Sequence, residues 1–262
     1  MPKTVSAAEL FEELQESSRQ FELDGQTFWI VEGDLALNET QLLAYAFRHA
    51  AAAATEPREG LVGMTDDQNR IIRWRQGLAL TYTIQKNTFS GAEQYQKVVA
   101  AMHAATADWE ATCGVHFEHV TALDDSLLPA TGQTLFYVRA KNTGGQLIAA
   151  AFFPTDPPDR RFVIIDPSFF KPDLGYDPAG VLRHELGHVL GFRHEHIRSG
   201  APPVCPGEST AFTVNLGDYD PQSVMHYFCG GVGSKDLLLT EVDRQGARLV
   251  YGPPDHEVTY CE

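Results

Sequence analysis

The sequence predicts an α+β fold, because segments with helical and with strand character both recur in its larger, C-terminal part. A segment that Ser90 would cap has apolar residues at helical spacing, namely Tyr95, Val98, Met102, Ala105 and Trp109. Asp177 and Pro178 are typical of the cap and first residue of another helix. Strands are expected at residues 78–84, 115–120, 134–138, 145–153 and 162–165, and a closing helix at 240–249.

A smaller N-terminal unit is predicted from two helix starts and a hairpin. Ser6 with Glu9 forms a capping-box pattern at the start of a first helix. Asn38 with Gln41 marks a second helix start in the same way. Between them, residues 21–31 are aromatic and β-branched around an Asp-Gly pair, which is a hairpin signal.

A boundary between the two units is expected near residues 55–63, which contain one proline and two glycines. We therefore predict an N-terminal unit at residues 1–60, a linker at 61–75 and the larger unit at 76–262.

The composition is that of a globular protein with one sizeable core, since 43% of the 262 residues are hydrophobic. No run approaches the 18 apolar residues typical of a membrane span. The net charge of -15 without a basic cluster argues against nucleic acid and anionic membranes as partners. The first residues lack an apolar leader, so the chain as given is not addressed for export.

A metal-binding pattern lies at residues 184–194, which read His-Glu-Leu-Gly-His-Val-Leu-Gly-Phe-Arg-His. His184 and His188 are four residues apart on a helix, so both imidazoles leave one face and can reach one ion. Gly191 would end the helix and turn the chain, so that His194 supplies a third ligand. Three histidines leave a position for water, whereas structural zinc sites use four protein ligands. The pattern therefore predicts one catalytic zinc ion.

Glu185 lies beside this face, where it could take a proton from a zinc-bound water. Zinc lowers the pKa of that water towards ~7. Unrelated histidines are a poor explanation, because five fixed positions at this spacing arise by chance on the order of once in ten thousand such chains. De-ubiquitinating and amidase-type hydrolases with only HExxH take their third ligand from a distant element, so the glycine and third histidine argue against them.

These residues resemble the pattern HExxHxxGxxH of the metzincin metallopeptidases, which a methionine turn follows. Residues 223–227, Ser-Val-Met-His-Tyr, are similar to that turn in the astacin family. Phe192, Glu195 and Arg198 extend the long motif to its astacin form. Residues 147–154 are more similar to the edge strand of matrixins. The resemblance implies a bacterial-type astacin with some matrixin-like features, whose twisted mixed sheet has backing helices and a metal-binding helix as its floor.

The resemblance also assigns roles to residues near the zinc. Met225 would form the hydrophobic floor beneath the ion, and Tyr227 would ligate the metal at rest and then stabilise the oxyanion. Glu195 would receive the N-terminal amine of a mature astacin, or else be a buried structural carboxylate. His196 and His226 are not at ligand positions.

A latency segment is suggested by residues 31–34, Val-Glu-Gly-Asp, which resemble the FxGD segment of astacin propeptides. The resemblance implies that Asp34 occupies the zinc site and keeps the enzyme latent as a zymogen, so that the N-terminal unit is propeptide-like. The alternative is an ordinary turn, where Gly-Asp is common. Arginines in or after the linker offer sites for a processing protease, namely Arg58, Arg70, Arg73 and Arg75.

Four cysteines allow three disulfide pairings. The resemblance favours Cys113 with Cys261, which leaves Cys205 with Cys229. Four reduced thiols in a cytosolic enzyme are the alternative. A secreted protein whose leader has been removed accounts better for the cysteines.

Taken with the resemblance, the sequence predicts a zinc-dependent metalloendopeptidase that acts on peptides or proteins. The alternative is a catalytically silent zinc-containing module that binds peptides, and such a module would be expected to lose Glu185 or Tyr227. The edge strand at residues 147–154 would pair with an extended substrate if it is exposed, or would be an interior strand.

Overall fold

The computed structural model of this chain describes residues 6–50, 61–126, 132–198, 201–205 and 210–254. The helices are α1 (Ala7–Ser17), α2 (Glu39–Ala50), α3 (Ala92–Glu110), α4 (Pro178–Val189) and α5 (Glu241–Tyr251). The strands are β1 (Arg19–Leu23), β2 (Gln26–Val31), β3 (Leu35–Asn38), β4 (Val62–Met64), β5 (Ala79–Ile84), β6 (His116–His119), β7 (Phe136–Ala140), β8 (Ala149–Ala150), β9 (Phe162–Ile165), β10 (Phe192–Arg193) and β11 (Thr213–Asn215). Arg58 and Cys261 lie outside the described residues, as do predictions for residues 51–60.

The largest sheet has the strand order β6-β5-β7-β9-β8. Four of its strands run parallel, and β8 is antiparallel to β9. Every residue of β9 is buried, as expected for a parallel strand that is covered on both faces. This mixed sheet, together with the helices that cover it, confirms the predicted α+β fold.

Strand β8 lies at the edge of this sheet, in agreement with the edge position expected for residues 147–154. It is much shorter than the predicted 145–153. Gly144 and Gly145 both have positive φ, at 74° and 72°, so the chain bends where the predicted strand would begin.

Helix α3 packs on α4 and carries the apolar face predicted for residues 95–109. Trp109 is fully buried, its Nε1 donates to the Arg183 carbonyl oxygen at 2.9 Å, and its ring stacks on Phe192. The predicted cap at Ser90 is wrong, because Gly91 is the N-cap and no side chain caps this helix.

Among the described residues, no helix combines the length and apolarity needed to cross a membrane.

The N-terminal unit forms a separate three-stranded antiparallel sheet, β1-β2-β3. The expected capping box at Ser6 is present, and the hairpin turns at Asp24 as predicted. Asn38 Oδ1 accepts from the Gln41 amide at 2.9 Å, which confirms the second helix start. Apolar residues of β1 and β2 pack on the large sheet in one buried cluster, made of Phe21, Leu23, Phe28, Ile30, Tyr137, Leu147, Ala150, Phe162 and Ile164.

The structure differs from the expected linker at residues 61–75. Its strand β4 pairs on one side with β10, next to the histidine motif, and on the other with β11. Leu61 is buried in the main core, and a Cβ on Gly246 of α5 would lie 2.9 Å from Leu61 Cβ. Residues 61–64 therefore belong to the larger unit. The strands with which they pair lie more than a hundred positions later in the chain.

The segment after the histidine motif is fixed by buried polar contacts and a disulfide. Asp243, which forms a capping box with Thr240 in α5, accepts from the Val224 amide at 2.9 Å. Cys205 and Cys229 form a disulfide, as expected. Cys113 is buried and forms no disulfide with another described residue, so its pairing with Cys261 stays a prediction.

The contact between Gly187 and Met225 should be essential for packing the methionine turn against α4. A Cβ on Gly187 would overlap Met225 Sδ and lie 3.1 Å from its Cε. Because Met225 is fully buried, we expect Gly187→Ala to lower the free energy of unfolding by about 1–3 kcal/mol, measured by urea denaturation. Gly91→Ser, at a position with open space around it, is the control and should be neutral. Equal stability of Gly187→Ala and wild type would contradict this packing.

Candidate active site

The first two histidines project from adjacent turns of α4 into one buried point. His184 Nδ1 lies 2.8 Å from the Val224 carbonyl oxygen, and His188 Nδ1 lies 2.8 Å from that of Phe192. A carbonyl can only accept, so each Nδ1 carries the proton and each Nε2 presents a lone pair. This second hydrogen bond is the one that orients metal-binding histidines.

The third histidine reaches the same point because the chain reverses after α4. Gly191 has a φ of 91°, and a Cβ there would lie 2.9 Å from the Ile72 carbonyl oxygen. His194 Nε2 then lies 3.2 Å from His188 Nε2. The structure thus brings together the three predicted histidine ligands.

A carboxylate from the N-terminal unit completes this cluster. Asp34 Oδ2 lies 3.1 Å from His194 Nε2, 3.2 Å from His184 Nε2 and 3.6 Å from His188 Nε2. One ligand atom from each of the four residues lies within 4.8 Å of the others, and all four residues are buried. Three imidazoles and one carboxylate around one point form a donor set suited to zinc.

The ionisation of this cluster is set by burial and by its own charges. Burial lowers the pKa of His188 to about 4, so its imidazole is neutral at pH 7, as a metal ligand must be. Burial would raise the pKa of Asp34, but His194 and His188 outweigh it and hold that pKa well below its usual range. Asp34 is therefore an anion in this cluster.

Glu185 lies next to the cluster and is 3% exposed. Burial, followed by the negative charge of Asp34, raises the pKa of Glu185 well above its usual range. Its Oε2 has no hydrogen-bond partner among the described residues. A buried carboxyl with an oxygen left over for a ligand suits a group that exchanges protons.

Tyr227 lies against the histidines, with its ring centroid 4.3 Å from that of His194. Its hydroxyl donates to the Glu32 carbonyl oxygen at 2.7 Å. A Cβ on Gly33 would lie 2.8 Å from this hydroxyl, and Gly33 has a φ of 96°. The close approach and the positive φ both require glycine here. The predicted oxyanion donor is therefore engaged by the N-terminal segment.

The remaining candidates lie around the cluster rather than in it. Glu195 is 1% exposed, accepts from Arg198 Nη1 at 2.7 Å and from the Asp220 amide at 3.0 Å, and burial raises its pKa to about 8. Glu195 is thus a buried carboxylate that two hydrogen bonds fix in the intact chain. His226 Nε2 lies 2.9 Å from the Tyr219 hydroxyl, and the His196 ring stacks on Tyr227.

One cavity of the described chain borders the cluster, and another is separated from it by Phe153. The first, of about 280 Å³, lies beside His184 and Glu185 and is lined mostly by apolar side chains, among them Leu147, Tyr176, Val181 and Leu237. The second, of about 370 Å³, lies between α2 and the segment after β8. Arg193 and Phe153 line it, and the Phe153 ring contacts His188 with 5.3 Å between centroids.

A contact beside the metal cluster was missed by reasoning from the sequence. Arg193 forms a buried ion pair with Glu32, and the Tyr45 hydroxyl donates to the same carboxylate at 2.6 Å. Each of the two charged residues lies in one of the sequence motifs, Glu32 in residues 31–34 and Arg193 in residues 184–194. Opposite charges in two segments expected to meet at one metal were the available signal.

Comparison with known proteins agrees with these motifs. Residues 73–201 match the family model for Matrixin. The zinc metalloproteinase nas-3 of Caenorhabditis elegans is 35% identical over 77 residues, which cover 26% of this chain and 25% of that protein. The bone morphogenetic protein 1 homolog of Strongylocentrotus purpuratus is 34% identical over 100 residues, which cover 30% of this chain and 16% of that protein. The chain thus spans a quarter or less of the length of these relatives.

Two solved structures are similar at lower identity. Myroilysin is 17% identical with a TM-score of 0.49, and the match covers 72% of this chain and 98% of that one. High choriolytic enzyme 1, a hatching enzyme zinc-protease from Oryzias latipes, is 16% identical with a TM-score of 0.41, and the match covers 72% of this chain and 93% of that one.

The four-residue cluster predicts how metal binding depends on its histidines. We expect the intact chain to retain about one zinc per molecule after dialysis, and His188→Ala to lose it, because a buried ligand is removed. Loss of zinc should also lower the melting temperature, since a ligand bound only by the folded state stabilises that state. Elemental analysis and thermal unfolding measure both effects.

His103→Ala is the matched control, because His103 is exposed on α3. It should keep the zinc content and melting temperature of the wild type. Unchanged zinc content in His188→Ala would contradict the assignment of the cluster as the metal site.

Proposed function

We propose that this chain, whose sequence places it among the metzincin zinc peptidases, is an astacin-like zinc metalloendopeptidase made as a latent zymogen. The observation that carries this proposal is the Asp34 carboxylate, which lies among the three histidines. In a peptidase of this kind, the fourth position of the metal is where water and substrate must bind. A carboxylate from the chain itself at that position suits a latent form.

The histidine cluster suits zinc because both α4 imidazoles are fixed by carbonyl acceptors. Zinc bound to His184, His188 and His194 would supply the Lewis acidity that makes water nucleophilic near neutral pH. Glu185 and Tyr227, which lie beside the cluster, would carry out the proton transfers and the stabilisation of negative charge that peptide-bond hydrolysis also needs.

Glu185 is the proposed general base. Its carboxylate would accept a proton from the attacking water and pass that proton to the departing amine. Burial favours the protonated form after this transfer, which suits a group that must hold the proton and then release it.

Tyr227 is the proposed donor to the oxyanion that forms as water attacks the carbonyl. Its hydroxyl now donates to Glu32, so release of the N-terminal segment would free it to donate to substrate. A donor of this kind contributes about 2.7–4 kcal/mol to transition-state stabilisation. One segment therefore blocks both the metal and the oxyanion donor.

Activation would require displacement of residues 1–60 from the catalytic unit. The arginines offered to a processing protease differ in their contacts. Arg73 Nη1 donates to the Val250 carbonyl oxygen at 2.8 Å, while Arg70 pairs with Asp66 on the surface. Because Leu61 is buried in the core of the larger unit and β4 pairs with β10, we propose that the boundary of this unit lies before residue 61.

Export is proposed on the basis of the Cys205–Cys229 disulfide, which favours an oxidising compartment. Substrates would be peptides or proteins. The alternative function, a silent zinc-containing peptide-binding module, is not favoured, because Glu185 and Tyr227 are both present and both lie beside the metal cluster.

The latency proposal predicts that Asp34→Ala activates the full-length chain without cleavage. Removal of the carboxylate raises the competent fraction, so kcat/KM on a fluorogenic peptide should rise at least about tenfold. Gel electrophoresis of the assay mixture verifies that the chain stays intact.

Asp24→Asn is the control for this experiment. Asp24 also ties the N-terminal unit to the catalytic sheet, through Arg139 Nη1 at 2.7 Å, but it lies outside the metal cluster. This variant should stay latent. Equal activity of wild type and Asp34→Ala would show that Asp34 merely ends a turn.

The base proposal is tested in the Asp34→Ala background, where activity is measurable. Adding Glu185→Gln should leave the zinc content unchanged, because Glu185 is not a ligand, while kcat falls by about 10²–10⁴-fold. Elemental analysis and initial rates separate these two effects. A kcat like that of the parent variant would remove Glu185 from the mechanism and favour another base.

A further inference from the structure

We propose that Arg193 is a carboxylate-recognition residue that determines substrate specificity. In the intact chain it binds Glu32. After the N-terminal segment is displaced, it would bind an acidic side chain of the peptide substrate. This inference rests on the proposed peptidase function and adds a substrate class to it.

Arg193 is held rigidly beside the metal cluster. It directly precedes His194, and its strand β10 pairs with β4, with Arg193 opposite Val62. Its guanidinium lies 5.8 Å from the centre of the Phe153 ring, which in turn contacts the His188 ring. A planar guanidinium over an aromatic ring is pre-organised to bind carboxylates. The cationic group is therefore fixed one contact away from a predicted metal ligand.

The occupant of this site in the intact chain is a carboxylate. Arg193 Nη2 donates to Glu32 Oε1, and the side chains of Arg193 and Glu32 are only 5% and 2% exposed. Burial of two charges costs free energy that a close, hydrogen-bonded pair offsets. The Tyr45 hydroxyl donates to the same carboxylate. The site thus already shows the chemical class of its ligand.

The backbone around Glu32 shows that the segment is shaped to fill several subsites at once. Glu32 has a φ of 56° and Gly33 a φ of 96°, a left-handed pair that is unfavourable for Glu32. This turn directs the Glu32 side chain to Arg193, its carbonyl to Tyr227, and Asp34 to the histidines. The N-terminal segment therefore blocks Arg193 together with Tyr227 and the metal-binding histidines.

Displacement of residues 1–60 would remove Glu32 and Tyr45 but leave the receiving side of the site. Arg193, Phe153 and Met64 belong to the catalytic unit and line the second cavity, of about 370 Å³. A glutamate side chain of a substrate has the same carboxylate and reach as Glu32. The net charge of -15 would repel an acidic peptide at long range, so a local cation is needed to bind its carboxylate.

The test uses the full-length double variant Asp34→Ala/Glu32→Gln, which opens the metal site and removes the internal carboxylate. Matched peptides that differ only by Glu or Gln are compared at each of four positions on both sides of the cleaved bond. At one position we expect kcat/KM to be about tenfold higher for the Glu peptide, because a charged hydrogen bond is gained. With Asp34→Ala alone, where Glu32 still competes, the preference should be smaller.

Adding Arg193→Gln to the double variant should reduce the Glu/Gln ratio of kcat/KM to about one. Arg193→Lys should keep part of the preference. Arg160→Gln is the matched control, because Arg160 lines the same cavity but pairs with Asp159, and it should leave the ratio unchanged. Zinc content and melting temperature verify that each variant is folded.

The outcomes separate this inference from the proposed function. Cleavage of both peptides without a Glu preference, or a preference that survives Arg193→Gln, would overturn the role of Arg193 and leave the peptidase assignment standing. Absence of any cleavage by zinc-loaded Asp34→Ala would overturn the proposed latent peptidase, and this inference with it.

Discussion

A carboxylate buried among three imidazoles is the interaction on which the rest of this structure depends. Asp34 Oδ2 lies within 3.6 Å of all three Nε2 atoms, in a place where an unpaired charge would be costly. Only a cation at the centre, or protonated imidazoles, can balance it. The reversal at Gly191 and the packing of Met225 on Gly187 both serve to bring the histidines to this one point.

The position of Asp34 among the histidines also explains why the N-terminal unit packs firmly on the rest of the chain. A single carboxylate would leave a metal site easily, but here its segment is held by two apolar clusters. One lies between β1, β2 and the large sheet, and the other joins β3 and α2 to Met64 and Phe153. The turn at residues 32–33 is therefore supported from both sides. Strain at Glu32 is offset by these contacts and by the ion pair with Arg193.

Local features of the fold could be predicted from the sequence. The capping boxes, the hairpin at Asp24 and the start of α4 at Asp177 depend on residues within a few positions of one another. Strand β4 was missed because its partners, β10 and β11, lie over a hundred residues away. The pair of Glu32 with Arg193 was missed for the same reason, although both motifs were recognised. The spacing of residues in a motif identifies the metal ligands, but it does not show which side chains from distant segments contact each other.

The most direct test of this account is the zinc coordination of the intact, full-length chain, measured by a crystal structure of the zinc-loaded protein. The account predicts one zinc ion bound by Nε2 of His184, His188 and His194, with an oxygen of Asp34 as the fourth ligand at about 2.0–2.2 Å. A water molecule in the fourth position, with the Asp34 carboxylate outside ligand distance, would contradict it.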